Sequence, residues 1–195
     1  MHSDLPKRNH PRLHSYDYSS SGHYFVTMCI KDRRNLLGKI PVGRDVLIAP
    51  DRSGITDLPM PSIQLSNYGE VALKHIIQIN RLKPDVYVDK YVIMPNHIHM
   101  IVVINNIAVE GSGSVASSES TMKACGAMKT SRPTSKSLSS VIRSYKTMIT
   151  KEIGVSIWQT SYYDHVIRDY GDYLRIWQYI DENPAKWSED RYYLQ

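Results

Sequence analysis

Tyr91-Val92-Ile93-Met94-Pro95-Asn96-His97-Ile98-His99-Met100-Ile101-Val102-Val103-Ile104 is apolar at both ends and polar only in its middle. Val92 to Met94 and Met100 to Ile104 read as strands. Pro95-Asn96 breaks the first strand and allows a tight antiparallel connection to the second. His97 and His99 are two residues apart, so in an extended chain both imidazoles leave one face and Ile98 leaves the other. A bare His-x-His is better explained by two histidines on a solvated sheet face, because the pattern is short. Here the flanking Met-Ile-Val-Val-Ile belongs in the centre of a sheet, where polar groups need partners. Two neutral imidazoles on such a strand are half of a divalent metal site, suited to Mn, Co, Ni or Zn, and to Mg when oxygen ligands complete the shell. Asn96 has two open roles, closing the turn or orienting the histidines.

Working outward, His23 to Ile30 reads as a first strand and Val86 to Met94 as the partner of His97 to Ile104. Ser66 is a candidate N-cap for a helix with the apolar stripe Val71, Leu73, Ile76, Ile77 and Ile79. A second helix starts at Ser135 or Ser137 and runs to Ile153, closed by Gly154. Ile157 to Ile167 is partly extended. Asp169 caps a last helix to Asn183, with Tyr173, Leu174, Trp177 and Ile180 inward. Residues 36 to 62 suggest short strand fragments such as Asp45 to Ile48. Residues 1–21 read as a basic N-terminal arm. Residues 22–195 read as a single domain, interrupted at about 105–135 by a Gly/Ser-rich flexible insert. The order of elements is α+β.

A chain of 195 residues can bury a genuine core. A net charge of +5 is compatible with a nucleic-acid partner. Cys29 and Cys125 lack metal or redox spacing and read as reduced thiols. No run is apolar enough to cross a bilayer and no signal peptide pattern opens the chain, so the expected location is cytoplasmic, without membrane.

Pro-Asn-His-Ile-His followed by a hydrophobic strand resembles the HUH motif (His, hydrophobic, His) of the single-tyrosine transposases, in particular the REP-associated tyrosine transposase branch. Further blocks resemble that family in the same order: Tyr24-Phe25-Val26-Thr27, Ser137 to Lys146, Ile157-Trp158-Gln159 through Tyr163 to Asp169, and Tyr179-Ile180-Asp181-Glu182-Asn183-Pro184. The resemblance implies a ferredoxin-like antiparallel sheet with helices packed against it. It also implies metal-dependent cleavage and strand transfer of single-stranded, hairpin-forming DNA through a 5′-phosphotyrosine, with Mg or Mn as cofactor.

On that resemblance His97 and His99 supply two metal ligands, and a polar side chain on the tyrosine-bearing helix, one or two turns away, supplies a third. Tyr145 is the expected nucleophile and Glu152, seven residues on, the expected third ligand. Some relatives carry the tyrosine three residues later, where this chain has Met148; a copy that binds DNA hairpins without cutting is therefore the alternative. Tyr162 and Tyr163 are rival nucleophiles and His165 a rival ligand. Arg33, Arg34, Arg143, Lys146 and Lys151 are candidate DNA contacts. A metal-dependent hydrolase of small phosphoesters is disfavoured by the lack of an Asp/Glu-rich ligand set. Monomer and homodimer both stay open.

Overall fold

The structure, a computed structural model, describes residues 16–40, 63–82, 85–105 and 137–193. Most of the expected basic arm and insert, the Asp45–Ile48 fragment and Cys125 lie outside the described residues.

Four strands form the main sheet: β1 (Gly22–Cys29), β4 (Val86–Met94), β5 (His97–Ile104) and β6 (Tyr163–Ile167), in the order β4-β5-β1-β6 and antiparallel throughout. Two short strands, β2 (Gly38–Lys39) and β3 (Gln64–Leu65), pair separately. Helix α1 (Asn67–Leu82) connects β3 to β4, α2 (Leu138–Ile153) precedes β6, and α3 (Tyr170–Glu182) follows it. With β2 and β3 set aside, strand-helix-strand-strand-helix-strand is the ferredoxin-like arrangement, as expected from the sequence.

The helix ends form where the capping chemistry lies. The Ser66 hydroxyl accepts from Gly69 N at 3.2 Å and donates to Leu36 O at 2.5 Å. Ser137 accepts from Ser140 N, Asp169 accepts from Asp172 N, and Gly154 ends α2 at φ 83°. On α1 the buried line is Ala72, Ile76 and Ile79, with His75, while Ile77 faces out. The expected stripe was therefore rotated by part of a turn.

The sheet has two covered faces, and this division decides the chemistry. Alternation sends Tyr24, Val26 and Met28 of β1 and Ile98, Met100, Val102 and Ile104 of β5 to one face, against α1 and α2. Phe25, Ile101 and Val103 go to the other face, beneath α3 and the segment carrying Trp187 and Tyr192. Helix α3 buries Ile180 but leaves Leu174 exposed, contrary to the inward position expected for Leu174. Polar ties seat it instead. The Tyr173 hydroxyl donates to Asp89 Oδ2 at 2.5 Å, Lys90 pairs with Asp181, and Lys90 Nζ lies 4.4 Å from the centroid of the Trp177 ring. Asp89 sits at a register shift between Val88 and Lys90, a bulge that aims its side chain at the helix.

Gly69 shows how closely α1 docks. A β-carbon there would stand 2.0 Å from Leu37 O, a backbone atom. Helix propensity alone favours alanine by about 1 kcal/mol. Gly69→Ala is nevertheless expected to destabilise the fold by roughly 1–3 kcal/mol, because backbone must move to admit the methyl group. Urea denaturation of the variant checks the sign.

Candidate metal and tyrosine centre

The centre is built on the end of β5 that follows the Pro95-Asn96 turn. His97 and His99 are 0% and 1% exposed. Burial holds His97 well below its usual pKa, helped by His99 and by the charges of Arg191 and Arg33. Burial, then Arg191, lowers His99 to about 3. Both rings are neutral near pH 7, the form that ligates metals.

Their neighbours constrain which nitrogen carries the proton. Asn96 Nδ2 donates to Arg33 O at 3.1 Å and to Tyr192 O at 2.8 Å, which turns Asn96 Oδ1 toward His97 Nδ1 at 2.9 Å. His97 therefore donates from Nδ1 and keeps its Nε2 lone pair free. Thr27, opposite His99 in the β1–β5 register, places its hydroxyl 2.8 Å from His99 Nδ1. That hydroxyl can accept or donate, so His99 can also present a lone pair at Nε2. The two Nε2 atoms are 2.9 Å apart. Two ligands in adjacent positions on an octahedral ion, with bonds of about 2.1 Å, stand about 3 Å apart. Asp190 Oδ2 lies 3.9 Å from His97 Nε2, and His97, His99 and Asp190 offer ligand atoms within 4.8 Å of one another. This cluster can hold a metal ion.

Tyr179 brings a phenol to the same place. Its hydroxyl lies 3.3 Å from His99 Nε2, and the residue is 42% exposed. Burial of the hydroxyl and the Asp190 carboxylate raise its pKa, while an Asn183 side-chain hydrogen bond and Arg191 pull the other way. Asn183 is one turn further along, 4% exposed, and its buried Oδ1 has no hydrogen-bond partner among the described residues. An orphaned buried oxygen on a residue that bonds this phenol is of the kind a cation can complete. The segment Trp187 to Tyr193 closes over the pair: the Tyr192 ring lies 4.6 Å from His97, and Arg191 Nη2 donates to the Tyr192 hydroxyl at 2.6 Å.

Several expected site residues lie elsewhere. Tyr145 is 1% exposed in the core on the α1–α2 face, and its hydroxyl donates to Ala72 O at 3.0 Å. Burial drives its pKa well up. With the sheet between them, Tyr145 cannot reach the histidines of its own chain, and its burial bars it from those of another. The nucleophile assignment to Tyr145 is thereby corrected. Glu152 accepts from Lys74 Nζ at 2.7 Å and pairs with His75 Nε2 at 2.9 Å, tying α2 to α1 away from the pair; it is not the third ligand. Arg143 and Lys151 are exposed on α2, on the wrong side of the sheet. Lys146 Nζ donates to Gln159 O at 2.8 Å and Ser161 O at 3.0 Å, a clamp on that loop; burial lowers its pKa to about 8. The Tyr162 hydroxyl donates to Ser139 Oγ at 3.4 Å and His165 pairs with Asp172, both away from the centre, while Tyr163 lies on the histidine face, opposite Thr27 in the register and edge-on to Phe25. Arg33 is brought close and Arg34 is exposed beside it.

Tyr179, Asn183, Asp190, Thr27 and Arg191 were missed as members of the site. The Tyr179 to Pro184 block carried a usable signal: a tyrosine with a polar residue one turn later, at the end of a helix.

The buried neutral histidines make the fold acid-sensitive. The unfolded chain takes up protons on them below about pH 6.5, whereas folded His99 resists until about pH 3. Stability should therefore fall as pH drops through that window, by up to about 1.4 kcal/mol per pH unit for each histidine. Urea midpoints between pH 7 and 4 test this; a flat profile would contradict it.

No family model matches the chain. An uncharacterized protein of Haemophilus influenzae is 31% identical over 189 residues, covering 94% of this chain and 91% of that protein. Among solved structures, a REP-associated tyrosine transposase bound to a REP hairpin is similar at a TM-score of 0.53 and 20% identity, over 92% of this chain and 76% of that one. Among the described residues no helix is long and apolar enough to cross a membrane. The chain belongs to the same family as the Haemophilus influenzae protein, and its fold is similar to that of the REP-associated tyrosine transposase.

Proposed function

We propose that this protein is a metal-dependent nuclease and strand transferase for single-stranded, hairpin-forming DNA, with Tyr179 as nucleophile. The observation that carries the reading is the Tyr179 hydroxyl 3.3 Å from His99 Nε2, beside a buried neutral histidine pair. The similarity to a hairpin-bound tyrosine transposase supports the substrate class. His97, His99 and Asp190, with Asn183 Oδ1, would hold Mg or Mn, which supplies charge to draw electrons from the scissile phosphate.

The chain's own residues account for the rest. The Tyr179 oxygen attacks phosphorus, forming a phosphotyrosine ester with the 5′ end of the downstream strand. The bond from phosphorus to the 3′ oxygen breaks, the phenol gives up one proton, and the departing 3′ oxygen takes one. Asn183 donates to the phenol oxygen and steadies it as charge develops. Neutral His97 and His99 stay available as ligands because Asn96 and Thr27 occupy their outward nitrogens. The ester preserves the energy of the broken bond for rejoining. All of these groups belong to one chain, so one subunit suffices. The non-cutting alternative drew on Met148 and on the long insert; with Tyr179 as nucleophile the first ground lapses, and the adduct experiment below decides the alternative.

The test is incubation with single-stranded hairpin oligonucleotides and Mn or Mg, followed by mass spectrometry of DNA-linked peptides. The expected linked peptide contains Tyr179. No adduct with any hairpin, in protein shown to bind hairpins and metal, would overturn the cleavage reading.

A further inference from the structure

The turn after β1 is strained, and the strain borders a cavity. Asp32 and Arg33 have φ of 57° and 53°, two consecutive non-glycine residues in the left-handed region. Such backbone persists where surrounding contacts enforce it, and it gathers at functional sites. Here Ile30 N donates to Asn96 O at 2.8 Å, Lys31 N to Ile157 O at 2.8 Å, and Asn96 Nδ2 to Arg33 O at 3.1 Å. The amide that fixes His97 therefore also fixes this turn.

Lys31, Asp32 and Arg33 line one side of a cleft of about 650 Å³, with Trp158, Gln159 and Thr160 opposite. The cleft adjoins the histidine centre through Arg33: its guanidinium carbon lies 5.5 Å from the centroid of the Tyr192 ring, which in turn packs 4.6 Å from His97. Among the described residues neither Lys31 nor Asp32 has an ion-pair partner. The volume suits a small organic unit. Exposed Lys31 and Asp32, with Arg33 and the hydroxyl residues Ser156 and Thr160, do not suit an apolar ligand. They match a group with an anionic end and a hydrogen-bonding edge.

We propose that this cleft takes one unpaired nucleotide next to the scissile phosphate, its phosphate on Lys31 and Arg33 and its amino-bearing base edge on Asp32. The ligand's identity as DNA rests on the cleavage reading above. Single-strand binders track the backbone with cationic grooves, and a carboxylate accepts from an exocyclic amine such as cytosine N4.

The full chain is tested by fluorescence anisotropy in EDTA, so that binding is read without cutting. One probe is a blunt hairpin; the others carry a short single-stranded extension of cytosines or thymines. Lys31→Ala is expected to weaken the extended hairpins about 5–10-fold and reduce the salt slope by about one, with blunt-hairpin affinity unchanged. Asp32→Asn keeps a residue tolerant of positive φ and is expected to weaken the cytosine extension but not the thymine one. A 5-iodouracil placed in the extension is expected to cross-link to the Trp158–Thr160 segment. Equal weakening of blunt and extended hairpins by Lys31→Ala, or none, would overturn the proposal. An adduct at Tyr179 with Lys31→Ala binding like wild type removes the cleft alone. Extension-dependent binding through Lys31 without any adduct removes the cleavage reading and leaves the cleft standing.

Discussion

Tyr179→Phe is expected to abolish the covalent protein–DNA adduct, lowering its rate of formation by about 10⁴-fold or more, with hairpin affinity held within about twofold. The substitution removes one oxygen and keeps the ring, which packs with ring centroids 6.0 Å from Phe25 and 5.2 Å from His99. The fold should therefore survive with a loss of about 1 kcal/mol or less. Among the other described tyrosines near the sheet, Tyr145 is on the far face and Tyr162 bonds Ser139, while Tyr192, packed on His97, is buried with its hydroxyl accepting from Arg191. Tyr145→Phe is the matched control. It deletes the hydrogen bond to Ala72 O and should cost about 1 kcal/mol of stability, yet leave adduct formation unchanged. Gel-shift quantification of the adduct beside urea denaturation separates the two variants. A dead Tyr145→Phe with an active Tyr179→Phe would reverse the assignment.

Loss of either imidazole is the second large effect. His97→Ala and His99→Ala should each reduce Mn affinity at least 100-fold and adduct formation by a factor of 10³ or more, since two of the few ligands come from this pair. Asn96→Ala should act more mildly, by about 10–100-fold, because the ring stays but the contact that fixes its protonated nitrogen is lost. Thermal unfolding with and without Mn offers a readout independent of catalysis. A ligand that binds the folded state raises its stability in proportion to the logarithm of its concentration over Kd. Wild-type protein should show that rise and His99→Ala should not. Equal Mn-induced shifts in both would move the metal away from the histidines.

Much of the frame was legible in the sequence for local reasons. The β4–β5 hairpin has uniform apolar flanks and one break, so its ends could be read to the residue. Ser137, Gly154 and Asp169 are capping residues, and the helices stop and start on them. The candidate ligand pair came from its spacing taken together with the apolar flanks and the resemblance to the HUH motif. What could not be read locally was which helix faces the histidines. Helix α2 carries Tyr145 on a regular stripe with Val141, Ile142 and Ile149; the same stripe describes a core aromatic and a nucleophile equally well. The choice depends on which sheet face each helix covers, a property of topology rather than of any window of sequence. Helix α3 is amphipathic like the other two, but that pattern marks Ile180 as buried and says nothing about the chemistry of the exposed Tyr179. Asp190 and Arg191 sit in an aperiodic segment, and burial against Tyr192 and the histidines is what gives them meaning.

The turn between β4 and β5 needs no particular side chain to reverse direction; several small polar residues would serve. What Asn96 adds is a planar group that gives hydrogens at one end and receives one at the other. Three stretches of chain distant in sequence are thereby held to a common alignment by a single residue. Aspartate, nearly identical in shape, would set a negative oxygen against two carbonyls, so ordinary rules of interchangeability at reverse turns do not apply at this position.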